Sequence, residues 1–85
     1  MTRAKTLSVG LVQMRMGEDV ADNTARALAG AREAAERGAQ VICLPELFRS
    51  RYFCQTEDAA QFDLAEAVPG ETTEAFAALG AEFDV

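Results

Sequence analysis

The sequence predicts an α/β fold, and three observations carry that expectation. Two short apolar runs, "TLSVGLVQM" at residues 6–14 and "AQVICLPELF" at residues 39–48, have the length and branched content of buried strands. Between them, "VADNTARALAGAREAAER" at residues 20–37 repeats small and apolar residues at helical spacing. Strand, helix and strand within about forty residues form a βαβ-like unit, whose strands are most simply parallel and adjacent or nearly so.

Each element has its own local reason. Leu7, Val9, Leu11 and Val12 make the first run nearly continuous, which points to a central strand buried on both faces. "GEDVADN" follows as a loop in which Asp19 or Asp22 can cap the next helix, where acids also suit the positive end of the helix dipole. Val20, Thr24, Leu28, Ala31 and Ala35 fall on one face of that helix. Gly38 stops it where a left-handed residue is wanted. Cys43 is expected as a buried residue of the second strand. Beyond it come a loop-rich stretch to Glu66, the turn "VPGETT", a second helix over residues 73–80 capped by Thr72, and "EFDV" as the start of a third strand.

Composition narrows the function classes. The 85 residues are 49% hydrophobic and 26% charged, a globular balance that fits one domain at most. Net charge is −6 and the eight bases are scattered, so a phosphate backbone has no basic track to follow and nucleic acid is not expected as a partner. The N-terminal stretch is interrupted by Ser8, Gly10 and Gln13, and neither a signal peptide nor a membrane span is expected. Cys43 and Cys54 form no CxxC pair, which favours reduced thiols and a cytoplasmic setting.

The absence of histidine excludes a Ser/His/Asp or Cys/His arrangement within the chain, and two cysteines alone make no zinc site. No glycine-rich phosphate loop precedes the helix. Glu57, Asp58, Asp63 and Glu66 lack calcium-loop spacing and read as a solvated face.

Glu46 is the residue with chemical promise. Pro45 removes an amide hydrogen and biases Leu44 toward extended geometry, so the pair ends the second strand and delivers Glu46 to its carboxyl edge. Open α/β sheets bind ligands at that edge, where partial desolvation makes a carboxylate a stronger base. The competing reading is a strand-end glutamate in an ion pair with Arg49 or Arg51.

"VGLVQM", the helix ending "AAERGAQ", and "VICLPELF" resemble the opening of the carbon-nitrogen hydrolase (nitrilase) superfamily, marked by an apolar strand running into Pro-Glu. "YFCQTED" and "FDLAEAVPGETT" are similar to its N-carbamoylputrescine amidase branch. The resemblance implies the N-terminal part of a four-layer αββα sandwich, with residues 1–85 an incomplete segment of one domain that is inactive alone. It implies a Glu, Lys and Cys triad in which glutamate is the general base, cysteine the nucleophile and lysine the oxyanion donor. Only the glutamate maps, onto Glu46; Lys5, Cys43 and Cys54 do not match the family's lysine and nucleophile motifs. By the same resemblance the substrate is a small carbamoyl amine or amide, no metal or organic cofactor is needed, and the whole protein is a homo-oligomer; Tyr52 and Phe53, by their place just after Glu46, are candidates for the pocket wall or for core packing. Cys54 is expected to pack or to line the pocket. Arg49 and Arg51 are assigned to surface, Glu46-orienting or subunit contacts. Other members of the superfamily, or a catalytically inactive interaction module, are the alternative readings.

Overall fold

The computed structural model describes residues 5–53 and 58–85. In chain order the elements are strand β1 (Val9–Leu11), helix α1 (Val20–Glu36), strand β2 (Val41–Cys43), a 3-10 helix (Ala59–Leu64) and helix α2 (Glu71–Phe83). The two strands are parallel neighbours with Val9 opposite Val41, Gly10 opposite Ile42 and Leu11 opposite Cys43. Flanking bonds extend the ladder: Val12 N donates to Cys43 O at 2.9 Å, and Gln40 N to Ser8 O at 2.7 Å. The βαβ unit is thus as the patterning predicts, with shorter strands.

The ends of α1 follow local chemistry. Asp19 caps it by accepting from Ala21 N and Asp22 N at 2.9 and 3.2 Å, satisfying two amides that lack intrahelical partners. At the other end Gly38 has φ +99°, a region that costs glycine nothing. Its amide donates to Ala35 O and that of Ala39 to Ala34 O, both at 3.0 Å, which closes a Schellman motif.

The helix lies unusually close to the sheet because small residues meet at the contact. A Cβ on Gly10 would sit 2.8 Å from Ala34 Cβ and 3.0 Å from Ala39 Cβ, and one on Gly30 would sit 2.7 Å from Val12 Cγ1. The buried stripe of α1 is Asn23, Ala27 and Ala31, joined in the core by Ala39 and Leu79. Of the five residues expected on this face, Ala31 is buried, while Val20, Thr24, Leu28 and Ala35 are half-exposed. The alanine-rich sequence left the rotation of the helix weakly specified, and contact with Gly10 and Val12 selects it.

Three further expectations are corrected. β1 is covered on one face: Gly10 points to α1, while Val9 and Leu11 are 54% and 77% exposed. Cys43 is exposed, because strand alternation puts it beside Val41 on that same uncovered face. "EFDV" begins no third strand. α2 runs through Phe83, Asp84 takes a left-handed conformation at φ +56°, and Val85 N returns to Gly80 O at 3.1 Å. Arg32 favours this longer helix by a two-pronged bond to Glu82 and by lying 5.2 Å over the Phe83 ring. α2 also starts earlier than expected, at Glu71, with Gly70 as its cap residue. Thr73 Oγ1 accepts from Gly70 N at 2.6 Å, and Thr72 lies inside the first turn.

The close approach predicts an asymmetry between the glycines. Gly10→Ala meets two Cβ atoms fixed to backbone and should cost about 1–3 kcal/mol. Gly30→Ala meets a single valine methyl and regains about 0.5–1 kcal/mol of helix propensity, so its net loss should be smaller. Urea titration of the whole protein checks this, and Gly10→Ala at or above parental stability would contradict the packing account.

Candidate active site

The candidate site is the turn that follows β2. The strand ends at Cys43, Leu44 and Pro45 follow, and Glu46 stands exposed beyond the carboxyl end of the strand at the start of a turn. Leu47 then adopts φ +54°, a left-handed conformation rare for a branched side chain, and Ser50 N donates to Leu47 O at 3.2 Å to close the turn. The backbone reverses immediately after the carboxylate.

Three anchors hold this turn. Phe48 packs edge-on against Phe76 of α2, with ring centroids 5.5 Å apart. Arg49 extends its guanidinium to Leu64 O at 2.9 Å and to Glu66 Oε2 at 3.4 Å, tying the turn to the end of the 3-10 helix. The Arg49 carbonyl accepts from Asn23 Nδ2 at 2.9 Å, tying it to α1.

Neither predicted arginine partner pairs with Glu46. Arg49 is engaged by Glu66, and Arg51 bonds Glu18 at 3.0 Å in the loop before α1. Among the described residues Glu46 makes no ion pair, so its carboxylate faces outward from a well-held backbone. Of the surface, Glu46-orienting or subunit roles expected for Arg49, the surface one does not hold, since its side chain is half-buried and ties the turn to Leu64 and Glu66.

Glu66 also departs from its expected place on a solvated face. Its Oε1 accepts from Thr72 N at 2.9 Å, at the amino end of α2, while Oε2 faces Arg49. Hydrogen bonding from Thr72 holds the carboxyl below the usual glutamate range, with the Arg49 charge adding in the same direction and desolvation opposing. Patterning missed both Glu66 and Asn23. Asn23 could have been found as a polar residue four and eight positions before two alanines of the buried stripe, whereas the partners of Glu66 are remote in sequence.

Beside the turn lies an apolar groove of about 870 Å³, walled by Leu47, Phe48 and Phe53 on one side and Phe62 and Leu64 on the other. Phe53, a candidate for either a pocket wall or core packing, is half-buried and lines this groove. Tyr52 is 55% exposed and is not among its lining residues. Cys54 and Glu57 lie outside the described residues. Lys5 is exposed ahead of β1, and no group of three acids or cysteines among the described residues could hold a metal ion. No helix among them is long and apolar enough to cross a membrane. The described residues therefore supply one candidate base, Glu46, and an apolar groove beside its turn that Glu46 itself does not line.

The carbon-nitrogen hydrolase family profile matches residues 8–85, and the chain belongs to that family. Among curated relatives it is 35% identical to the mouse (Mus musculus) omega-amidase NIT2 over 94% of this chain and 28% of the relative. It is also 35% identical to the N-carbamoylputrescine amidase of Solanum lycopersicum, over 81% of this chain and 24% of the relative. A citrullinase of Francisella tularensis is 34% identical over 73% of this chain and 22% of its own length. The chain thus spans about a quarter of the length of the relatives it matches. Its helices and small parallel sheet are consistent with part of a nitrilase-fold domain.

The linkage at Glu66 has a definite sign. Because its folded pKa is lowered, the carboxylate contributes stability above the ordinary value of 4.5, and that contribution is lost as pH falls through the folded value. Glu66→Gln should remove this part of the acid sensitivity and lower stability at neutral pH. Thermal unfolding of the whole protein and the variant between about pH 7 and 3 checks it; parallel curves would contradict the assignment.

Proposed function

We propose that residues 1–85 form the N-terminal segment of a hydrolase that cleaves a non-peptide carbon-nitrogen bond, with Glu46 as general base. The observation that carries this reading is the placement of Glu46: at the carboxyl edge of β2, on a turn anchored to three elements, with both neighbouring arginines paired elsewhere. Family membership supplies the reaction class.

The chemistry calls for a thiolate, since an amide or ureido carbon is a poor electrophile, and for a fixed cation to meet the charge that develops on its oxygen. Glu46 would take the thiol proton as sulfur adds to the carbon, and protonation of nitrogen would then release the amine. Water activated by Glu46 would clear the acyl enzyme. The nucleophilic cysteine and the oxyanion lysine are assigned to parts of the domain outside these 85 residues, which alone should release no ammonia. A second sheet of an αββα sandwich would cover the exposed face of Val9, Leu11, Val41 and Cys43.

Within this class the substrate proposed is N-carbamoylputrescine, cleaved to putrescine, carbon dioxide and ammonia in polyamine synthesis. Support comes from the "YFCQTED" and "VPGETT" segments and from the tomato relative's name. The omega-amidase and citrullinase relatives favour a second reading, an ω-amide or a free ureido amino acid. The whole protein is proposed to be a cytoplasmic homo-oligomer, with no metal or organic cofactor in the reaction and no nucleic acid or membrane partner.

Ammonia release by the whole protein from N-carbamoylputrescine, a short ω-amide and citrulline separates these substrates. On whichever is turned over, Glu46→Gln should lower kcat by about 10²–10⁴-fold with the fold unchanged by circular dichroism. A near-parental rate would remove Glu46 from the chemistry.

A further inference from the structure

We propose that Asn23 is a positioning residue for Glu46, its buried carboxamide gripping the Arg49 carbonyl and fixing the turn that carries the base against α1. The inference rests on the general-base reading of Glu46 given above.

Asn23 is a fully buried polar side chain on a helix face otherwise made of alanine. Its Oδ1 accepts from Gly17 N at 2.8 Å and from Arg26 Nη2 at 3.2 Å. Its Nδ2 donates to Gly17 O and to Arg49 O, both at 2.9 Å. Every strong hydrogen-bonding position of the amide is filled, so a buried group that would be costly unpaired becomes a rigid joint. The joint connects the loop after β1, the helix and the turn after β2. An apolar residue here would leave the Arg49 carbonyl without this donor.

A second observation points to the same turn. Leu47, the residue after Glu46, is held in the left-handed region, a conformation that persists where surrounding contacts over-determine it. Asn23 grips the chain two residues beyond Leu47, at the end of the turn that Ser50 N closes onto Leu47 O. If the grip is lost, the turn can relax toward ordinary backbone and swing Glu46 with it. A general base displaced by about 1 Å loses on the order of 10²-fold in rate, through kcat and not through substrate binding.

Asn23→Asp tests this in the whole protein, since it keeps the shape of the side chain and withdraws both donated bonds. Kinetics are taken well below the thermal midpoint and normalised to the folded fraction by circular dichroism, with Glu46→Gln measured in parallel on the same substrate. The expected result is a fall in kcat of about 10–100-fold with KM changed by less than about threefold. A variant with a lowered thermal midpoint but parental kcat per folded molecule would reduce Asn23 to a structural role and overturn the proposal. Should Asn23→Asp fail to fold, Asn23→Ser takes its place, since its shorter hydroxyl cannot span Gly17 and Arg49; the same two results decide. Retained turnover in Glu46→Gln would be a separate failure, that of the general-base reading itself.

Discussion

The structure depends on how closely α1 can approach β1. Gly10 faces Ala34 and Ala39, Gly30 faces Val12, and none of these contacts leaves room for one more carbon. Such proximity is favourable only between small residues, where dispersion between well-packed atoms offsets the little apolar area buried. It fixes the rotation of α1, which places Asn23 inward and Arg32 toward α2. Those two side chains then reach the segments that the strands alone could not hold.

From that joint, polar contacts run outward in a connected series. Gly17 meets Asn23, Asn23 meets Arg49, Arg49 meets Glu66, and Glu66 meets Thr72 at the start of α2. Each link joins a different element, and Arg49 takes part through both backbone and side chain. The arrangement leaves Glu46 outside the series while fixing the backbone beneath it. Arg32 and Glu82 make a separate tie between the helices, each holding the other in its charged form chiefly by direct hydrogen bonding.

Local chemistry was the most legible part of the sequence. A cap at Asp19 or Asp22, of which Asp19 takes the role, Gly38 as a left-handed stop and the parallel pairing of the two strands all follow from residue type and spacing. The face of α1 was not legible, because alanine offers little hydrophobic contrast and only contact with Gly10 and Val12 decides the rotation. Cys43 and Val9 were expected inside because continuous apolar runs read as strands covered twice, yet one helical layer covers one face. "EFDV" carries strand-forming residues, but Arg32, fifty positions earlier, rewards helical Glu82 and Phe83. The strand end before Glu46 was legible from Pro45, whereas the turn after it and the roles of Asn23, Arg49 and Glu66 depend on partners remote in sequence.

We propose Glu46 as the general base for carbon-nitrogen bond cleavage in the whole protein, held in place by the turn after β2. A crystal structure of the whole protein, with an amide or ureido substrate trapped by replacing its nucleophile, tests this most directly. The Glu46 carboxylate is expected within about 2.6–3.2 Å of the nucleophile position or of a water facing the substrate carbon. A Glu46 carboxylate turned to bulk solvent or paired with an arginine, with the substrate bound elsewhere, would contradict it.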